Sequence, residues 1–374
     1  MSKNEFLHIS NKLLVHGPQV PRYTKGLSHT KNQSGFFQTF TFPAPEQIFI
    51  HDALYGGHLI TEPILVELLQ SPSLLRLHGV SQHGVTGLFG LTPRVTRLEH
   101  SVGAFLLVRK VGASVEEQVS ALLHDVSHTV LSHVVDWAFS TPGQESFHEV
   151  HKKRYIKTTE LPEILTKHGF GNLKPLDEEL YPLVEKPAPR LCADRLDYAL
   201  RDAAAFGKMD IADVLRVFAS LKAVPNATDP ARQLVLEDSQ LALSFARAYV
   251  ACDRDVWANA AHIDMDQRTG LLIGDVIQRG AVKEESLWNL SDKDFWELLR
   301  GIANPDELEM MKRLESEGIP KKADSGLPRG AKIRTLDPDI YLPDTKQIFP
   351  LSTVRPEWAT EVQEYIQSRR SQQD

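Results

Sequence analysis

The sequence predicts a mostly α-helical protein. Apolar residues recur at three- and four-residue intervals through most of the chain beyond residue 50. Helix-opening and helix-stopping residues bracket those runs. Only the segment "AKIRTLDPDIYLPDTKQIFPLS" near the C-terminus is rich enough in proline and β-branched residues to read as a few short strands.

In chain order, residues 1–47 are polar and punctuated by glycine and proline ("HGPQVPRYTKGLSHTKNQSG") and read as a loosely ordered arm. In "ITEPILVELLQSPSLLRLHGV" the helical spacing breaks at Pro72, so two helices are expected. "LEHSVGAFLLVRKVG" is another, capped by Gly112. Ser114 then opens a capping box with Glu117, followed by an apolar stripe of Val115, Val119, Leu122, Leu123 and Val126. "PRLCADRLDYALRDAAAFG" is a helix stopped by Gly207. These helices make a core over residues 48–210. Residues 211–325, including "DKDFWELLRGI", form a helical C-terminal lobe. Residues 326–374 place the short strands and a last helix, "EWATEVQEYIQSRR", on that same lobe.

Composition narrows the function classes. The 374 residues are 42% hydrophobic and 24% charged, with a net charge of -7 and scattered basic residues, so nucleic acid is not the expected partner. No run approaches the roughly 18 apolar residues of a membrane span, and the first residues lack a signal-peptide core. A soluble, cytoplasmic protein is expected, with the nucleus left open. Cys192 and Cys252 cannot build a disulfide framework or a cysteine zinc site.

Fifteen histidines stand out, and three of them fall with two aspartates in "LLHDVSHTVLSHVVD". Burying such groups is costly unless they are paired or bind a metal. His100, His124, Asp125 and Asp194 are the candidate ligands. Two imidazoles and two carboxylates suit Fe, Mn, Co, Ni or Zn and leave positions open for water and substrate. Adjacent ligands diverge by about 100° on a regular helix. His124 and Asp125 could therefore meet one ion at a helix end. Asp194, Tyr198 and Asp202, spaced by four, share a helix face. Singly, each of these features is more often structural; a His-Asp dipeptide is common, and the Asp194 face could be a solvated helix side. Their joint order carries the reading.

"TRLEHSVG", "LLHDVSHTVLSH" and "CADRLDYALRD" together resemble the HD-domain phosphohydrolases, in the branch of the deoxynucleoside triphosphate triphosphohydrolases and the sterile-alpha-motif-and-HD-domain protein. The resemblance runs over residues 48 to 207, with a weaker echo in "KIRTLDPDIYL". It implies an HD-domain helical core and a metal held by His100, His124, Asp125 and Asp194. Arg97 and Tyr198 would contact substrate, Gln82 and Asp202 would reach the sugar hydroxyl, and His128 would face the phosphate. His148, in "FHEVHKK", matches the proton donor, with His151 as its rival. His133 and Asp136 would orient these groups. Ser127 and Thr129 replace the glycines usual around His128. His83 stands where the human member has a leucine that helps exclude a 2′-hydroxyl, so strict deoxyribose selectivity does not carry over. Residues of the guanine-nucleotide activating site are not matched.

The expected function is metal-dependent hydrolysis of phosphate esters in (deoxy)nucleoside mono- or triphosphates. One divalent transition metal is expected, with Mg accompanying substrate phosphates as an option. A homo-oligomer is expected. The alternatives are an HD-type di-iron oxygenase, with His128 and His148 or His151 at a second metal, and a catalytically silent nucleotide-sensing module.

Overall fold

The computed structural model describes residues 38–44, 46–140, 144–319, 327–328 and 331–373. Helices dominate, as expected, with β6 (Asp339–Leu342) and β7 (Gln347–Pro350) near the C-terminus. An N-terminal sheet was not anticipated. Residues 38–44, assigned by composition to the arm, form β1 (Gln38–Ala44), antiparallel to β2 (Gln47–Asp52), which pairs in turn with β3 (Gly56–Ile60). Residues 1–37 of the arm lie outside the described residues. Along β2, Ile48, Ile50 and Asp52 point inward while Phe49 and His51 point out, the alternation of a half-buried strand. A third small sheet pairs β4 (Lys222–Val224) with β5 (Gln233–Val235).

The longer helices are α1 (Arg97–Lys110), α2 (Val115–Leu123), α3 (Phe147–Ile156), α4 (Ala193–Ala205), α5 (Ile211–Ser220), α6 (Ser239–Cys252), α7 (Ala260–Gln278), α8 (Asp292–Ile302), α9 (Pro305–Glu317) and α10 (Pro356–Arg370). α1 is the hub: every residue from Arg97 to Val108 is buried, and α2 and α4 pack on it. Thr96 starts α1 with a full capping box, its hydroxyl taking the Glu99 N–H while the Glu99 carboxylate takes the Thr96 N–H at 2.7 Å. The box expected at Ser114 forms only by half. Its hydroxyl accepts the Glu117 N–H at 3.2 Å, but the Glu117 carboxylate turns to the Leu183 N–H and to Arg232 at 2.9 Å. A buried carboxylate gains more from a guanidinium than from a second cap contact. Among the described residues no helix is long and apolar enough to cross a membrane.

α4 approaches α1 at Gly103, where a Cβ would lie 1.8 Å from Asp197 Oδ1. From there a buried chain of charges runs outward. Asp197 accepts Arg201 Nε at 3.0 Å, Arg201 Nη2 donates to Asp52 at 2.7 Å, and Asp52 accepts the side chain of Gln38. The N-terminal sheet is thereby tied to the helices that carry the histidines.

Candidate metal centre and active site

His100 lies in the first turn of α1, His124 caps the end of α2 with Asp125 next in chain, and Asp194 opens α4. His100 Nε2 is 3.1 Å from His124 Nε2, 3.0 Å from Asp194 Oδ1 and 3.6 Å from Asp125 Oδ2. His124 Nε2 is 3.4 Å from Asp194 Oδ1 and 3.7 Å from Asp125 Oδ1. The adjacent pair meets these partners because the regular helix ends at Leu123. Each imidazole is aimed by its other nitrogen: His100 Nδ1 bonds the Asp197 carboxylate at 2.8 Å, and His124 Nδ1 the Ala121 carbonyl at 2.8 Å. Such contacts present Nε2 for coordination.

These residues fit a divalent metal. Ligand nitrogens about 2.1 Å from a shared ion and at right angles are about 3.0 Å apart, which is the spacing of the two Nε2 atoms. The charges agree. Burial works against a charged His100, but hydrogen bonds to Asp194 and Asp197 and the field of Asp125 outweigh it and push its pKa up to about 10. Burial would likewise raise Asp194, yet its bonds to His100 and His124 hold it far below the usual carboxylate range. A pocket that draws a proton so strongly has a demand for positive charge that a cation can meet.

A second cluster adjoins the first. His128 and His148 stack with centroids 3.6 Å apart and planes at 27°. His133 meets His128 edge-on at 5.0 Å and is itself exposed. His148 Nδ1 lies 3.1 Å from Glu149 and 3.2 Å from Ser127 Oγ. Asp136 accepts from His133 Nδ1 at 2.9 Å and from the Phe147 N–H at 2.8 Å, which joins the histidine loop to α3. His128 Nε2 is 3.3 Å from Asp125 Oδ1. Burial, then Arg97 and His148, hold His128 well below the usual histidine range despite Asp125, so it is neutral. The three rings bring potential ligand atoms within 4.8 Å of one another. Near-parallel stacking, however, means an ion in the plane of the His128 ring would sit out of the His148 plane, unlike a shared coordination site. His151 is not brought into this cluster: it packs edge-on against Phe147 and Trp288.

On the other side, Arg97 Nη1 donates to Asp125 Oδ2 at 2.6 Å and its Nε to Ser132 Oγ at 3.0 Å. Tyr198 and Tyr249 share a hydroxyl hydrogen bond of 2.6 Å. Asp202 accepts Trp257 Nε1 at 2.7 Å, and its other oxygen lies 3.1 Å from His83 Nε2. His83 Nε2 therefore faces Asp202 without completing a hydrogen bond to it. Gln82 Oε1 is buried without a hydrogen-bond partner among the described residues.

Several residues that shape the site escaped the sequence reading. Arg76 Nη2 donates to the carbonyls of Val126 and His128 at 2.6 and 2.7 Å. Lys152, paired with Glu178, donates to the His124 carbonyl at 3.2 Å. Trp288 Nε1 donates to the Ser127 carbonyl at 2.7 Å. All three pin the backbone of the histidine loop from elements distant in sequence, and no local pattern marks them. Asp197 did have a signal, three residues after Asp194 in the same motif.

No family model matches the chain. It is 56% identical over 336 residues to the metal-dependent phosphohydrolase cns2 of Cordyceps militaris, covering 90% of this chain and 97% of that one. A deoxynucleoside triphosphate triphosphohydrolase SAMHD1 homolog of Dictyostelium discoideum is 23% identical, over 47% of this chain and 40% of its own length. Among solved structures, a phosphohydrolase from Bacteroides thetaiotaomicron shares the fold with a TM-score of 0.59 and 19% identity, covering 82% of this chain and 94% of that one. With its histidines and aspartates gathered as a metal centre would need them, and a close likeness along nearly its whole length, the chain belongs to the HD-domain metal-dependent phosphohydrolases.

Proposed function

We propose that this phosphohydrolase acts on nucleotides, cleaving a phosphate ester of a (deoxy)nucleoside mono- or triphosphate. The observation that carries the reading is what borders the candidate ligands. Arg97 and His128 both lie against Asp125, His148 stacks on His128, the Tyr198 ring lies 6.2 Å from that of His100, and Asp194, Tyr198 and Asp202 follow one another at four-residue spacing along α4. Cationic and imidazole groups suit a phosphate. The unpartnered acceptor of Gln82 suits a sugar hydroxyl, since a buried polar atom left alone is costly. The distant likeness to a deoxynucleoside triphosphate triphosphohydrolase points the same way.

His100, His124, Asp125 and Asp194 would hold Fe, Mn, Co, Ni or Zn. When bound, the metal supplies Lewis acidity toward a phosphate oxygen and the attacking water. Among the described residues Arg97 bonds through Nε and Nη1, which hold the guanidinium in plane and leave Nη2 to face a phosphate oxygen. His128 stands beside it, with Nε2 turned to Asp125. His148 is the proton donor to the leaving oxygen: Glu149 and Ser127 occupy Nδ1 and orient the ring, so Nε2 carries the transferred proton. Asp202, held by Trp257, accepts from the sugar together with Gln82.

The test incubates protein loaded with each metal, or Mg(II), with ribo- and deoxynucleoside mono-, di- and triphosphates, and separates products by chromatography. Release of phosphate or tripolyphosphate from at least one nucleotide is expected. Stoichiometric metal binding with no nucleotide consumed would remove nucleotides as the substrate class.

A further inference from the structure

Asp292 opens α8 and is buried. Its two carboxylate oxygens are spent on two separate segments of the active site. Oδ2 accepts the Ser81 N–H at 2.7 Å, and Oδ1 accepts the Leu131 N–H at 2.7 Å. Ser81 precedes Gln82 and pairs as an isolated bridge with Thr96, and the flanking bonds Gln82 N–H to Val95 O and Arg97 N–H to Val80 O complete that pairing at 2.8 and 2.9 Å. Leu131 and Ser132 lie in the histidine loop, both with left-handed backbone at φ 56° and 51°, a conformation that L side chains hold only under constraint.

The junction is close-packed by two glycines. A Cβ on Gly79 would lie 2.7 Å from Ser291 Cβ, and one on Gly84 would lie 2.8 Å from the Leu131 carbonyl oxygen. Ser132 Oγ, presented by the left-handed turn, donates to the Ser81 carbonyl at 2.6 Å and accepts Arg97 Nε at 3.0 Å. The connections close a ring from Asp292 through Leu131 and Ser132 to Arg97, and back through Ser81.

We propose that Asp292 is a positioning residue for Arg97: its carboxylate clamps the Ser81 and Leu131 segments together, so that Ser132 holds the guanidinium at the angle that meets a substrate phosphate. The inference rests on the phosphate-binding reading of Arg97. Both oxygens must accept, so only the ionised carboxylate completes the clamp. Burial raises Asp292 to about 7, against the two backbone N–H bonds and the fields of Arg94 and Arg97. The other titratable groups on the clamped segments turn elsewhere, His83 to Asp202 and His133 to Asp136. On α8 itself, Lys293 and Asp294 are exposed.

The test compares wild-type, Asp292→Asn, Arg97→Ala and the double variant, all Mn(II)-loaded, with p-nitrophenyl phosphate across pH 5.5 to 9, alongside metal content and backbone hydrogen exchange. Asn offers one acceptor oxygen and turns an amide toward the other N–H. Asp292→Asn should lower kcat/KM by roughly 30-fold with metal content unchanged, and should speed exchange at residues 129 to 133. Wild-type activity should rise with pH through about 7, a limb that Asp292→Asn lacks. In the Arg97→Ala background the same change should cost less than about threefold, because the effect passes through Arg97. Full additivity in the double variant, or lost metal in Asp292→Asn, would make Asp292 structural only. If Arg97→Ala alone abolishes activity and Asp292→Asn does not, this inference falls and the phosphohydrolase reading stands; if Arg97→Ala costs nothing, the phosphate role of Arg97 falls and takes the inference with it.

Discussion

His148 and His151 sit three residues apart on α3 and meet different surroundings. His148 stacks on His128 and is held by Glu149 and Ser127, whereas His151 is wedged between Phe147 and Trp288. Replacing His148 with alanine should lower kcat by roughly 100-fold or more, as expected for a lost general acid, with metal content unchanged. His151→Ala should leave kcat within about threefold and lower the melting temperature instead, because it removes packing from an aromatic cluster. Parallel measurements of kcat, metal content and melting decide between them, and the opposite ordering would move the proton donor to His151. In the sequence only the family resemblance favours His148, because both lie in "FHEVHKK" at helical spacing. Which one faces the histidine loop depends on how α3 is rotated, and the Asp136 bond to the Phe147 N–H sets that rotation. The candidate ligands, by contrast, were legible because their chemistry is local: a His-Asp dipeptide at a helix end, and an aspartate opening a helix.

At the scale of elements, the helix boundaries were readable wherever a cap or glycine marks them, as at Gly112 and Gly207. The N-terminal sheet was not, because β1 to β3 are short and gain their burial only from the helices they cover. Gly103 shows the same limit inside a helix. It lies in the middle of α1, where glycine costs about 1 kcal/mol relative to alanine on propensity alone, and nothing nearby in sequence explains it. The reason is α4: a Cβ at Gly103 would meet Asp197 Oδ1 at 1.8 Å and Arg201 Nη2 at 2.4 Å. Gly103→Ala must therefore expel the carboxylate that aims His100. Metal affinity should fall by about 10-fold or more, in line with losing a contact that orients a metal-binding histidine, as read by competition titration with a chromogenic chelator. Gly274→Ala on α7 is the control. Its Cβ would make only ordinary contacts, 3.7 Å from Ala138 Cβ, so affinity should not change and stability should hold or rise slightly. Equal metal affinity in the Gly103 variant would mean that Asp197 does not set the orientation of His100.

Over the whole molecule, the site draws on residues from Gln82 to Asp292, and what binds those regions together is buried charge. Most of it is paired: Asp52 and Asp197 share the Arg201 guanidinium, with His100 also on Asp197, and Asp253 meets Arg334 and Tyr365. Long-range pairs of this kind leave no trace in sequence spacing, which is why the motif was legible and its supports were not. Asp266 on α7 is unbalanced. Its Oδ1 is buried without a hydrogen-bond partner among the described residues, and burial pushes its pKa up to about 8. The folded state therefore keeps a proton there that the unfolded chain releases near the ordinary carboxylate value of about 4. Its stabilising contribution is fully present below that value and is lost as pH rises through about 8. Between pH 6 and pH 9 the protein should lose stability by roughly 2 kcal/mol from this group, a melting-temperature drop of a few degrees for a chain of this size. Asp266→Asn keeps the shape and cannot ionise, so its melting curve should be flatter over the same range and cross above the wild type on the alkaline side. Thermal melts of both proteins at half-unit pH steps provide the measurement. Parallel pH profiles for the two would mean that Asp266 reaches water or a partner when ionised, and that the alkaline side of the stability curve is set elsewhere.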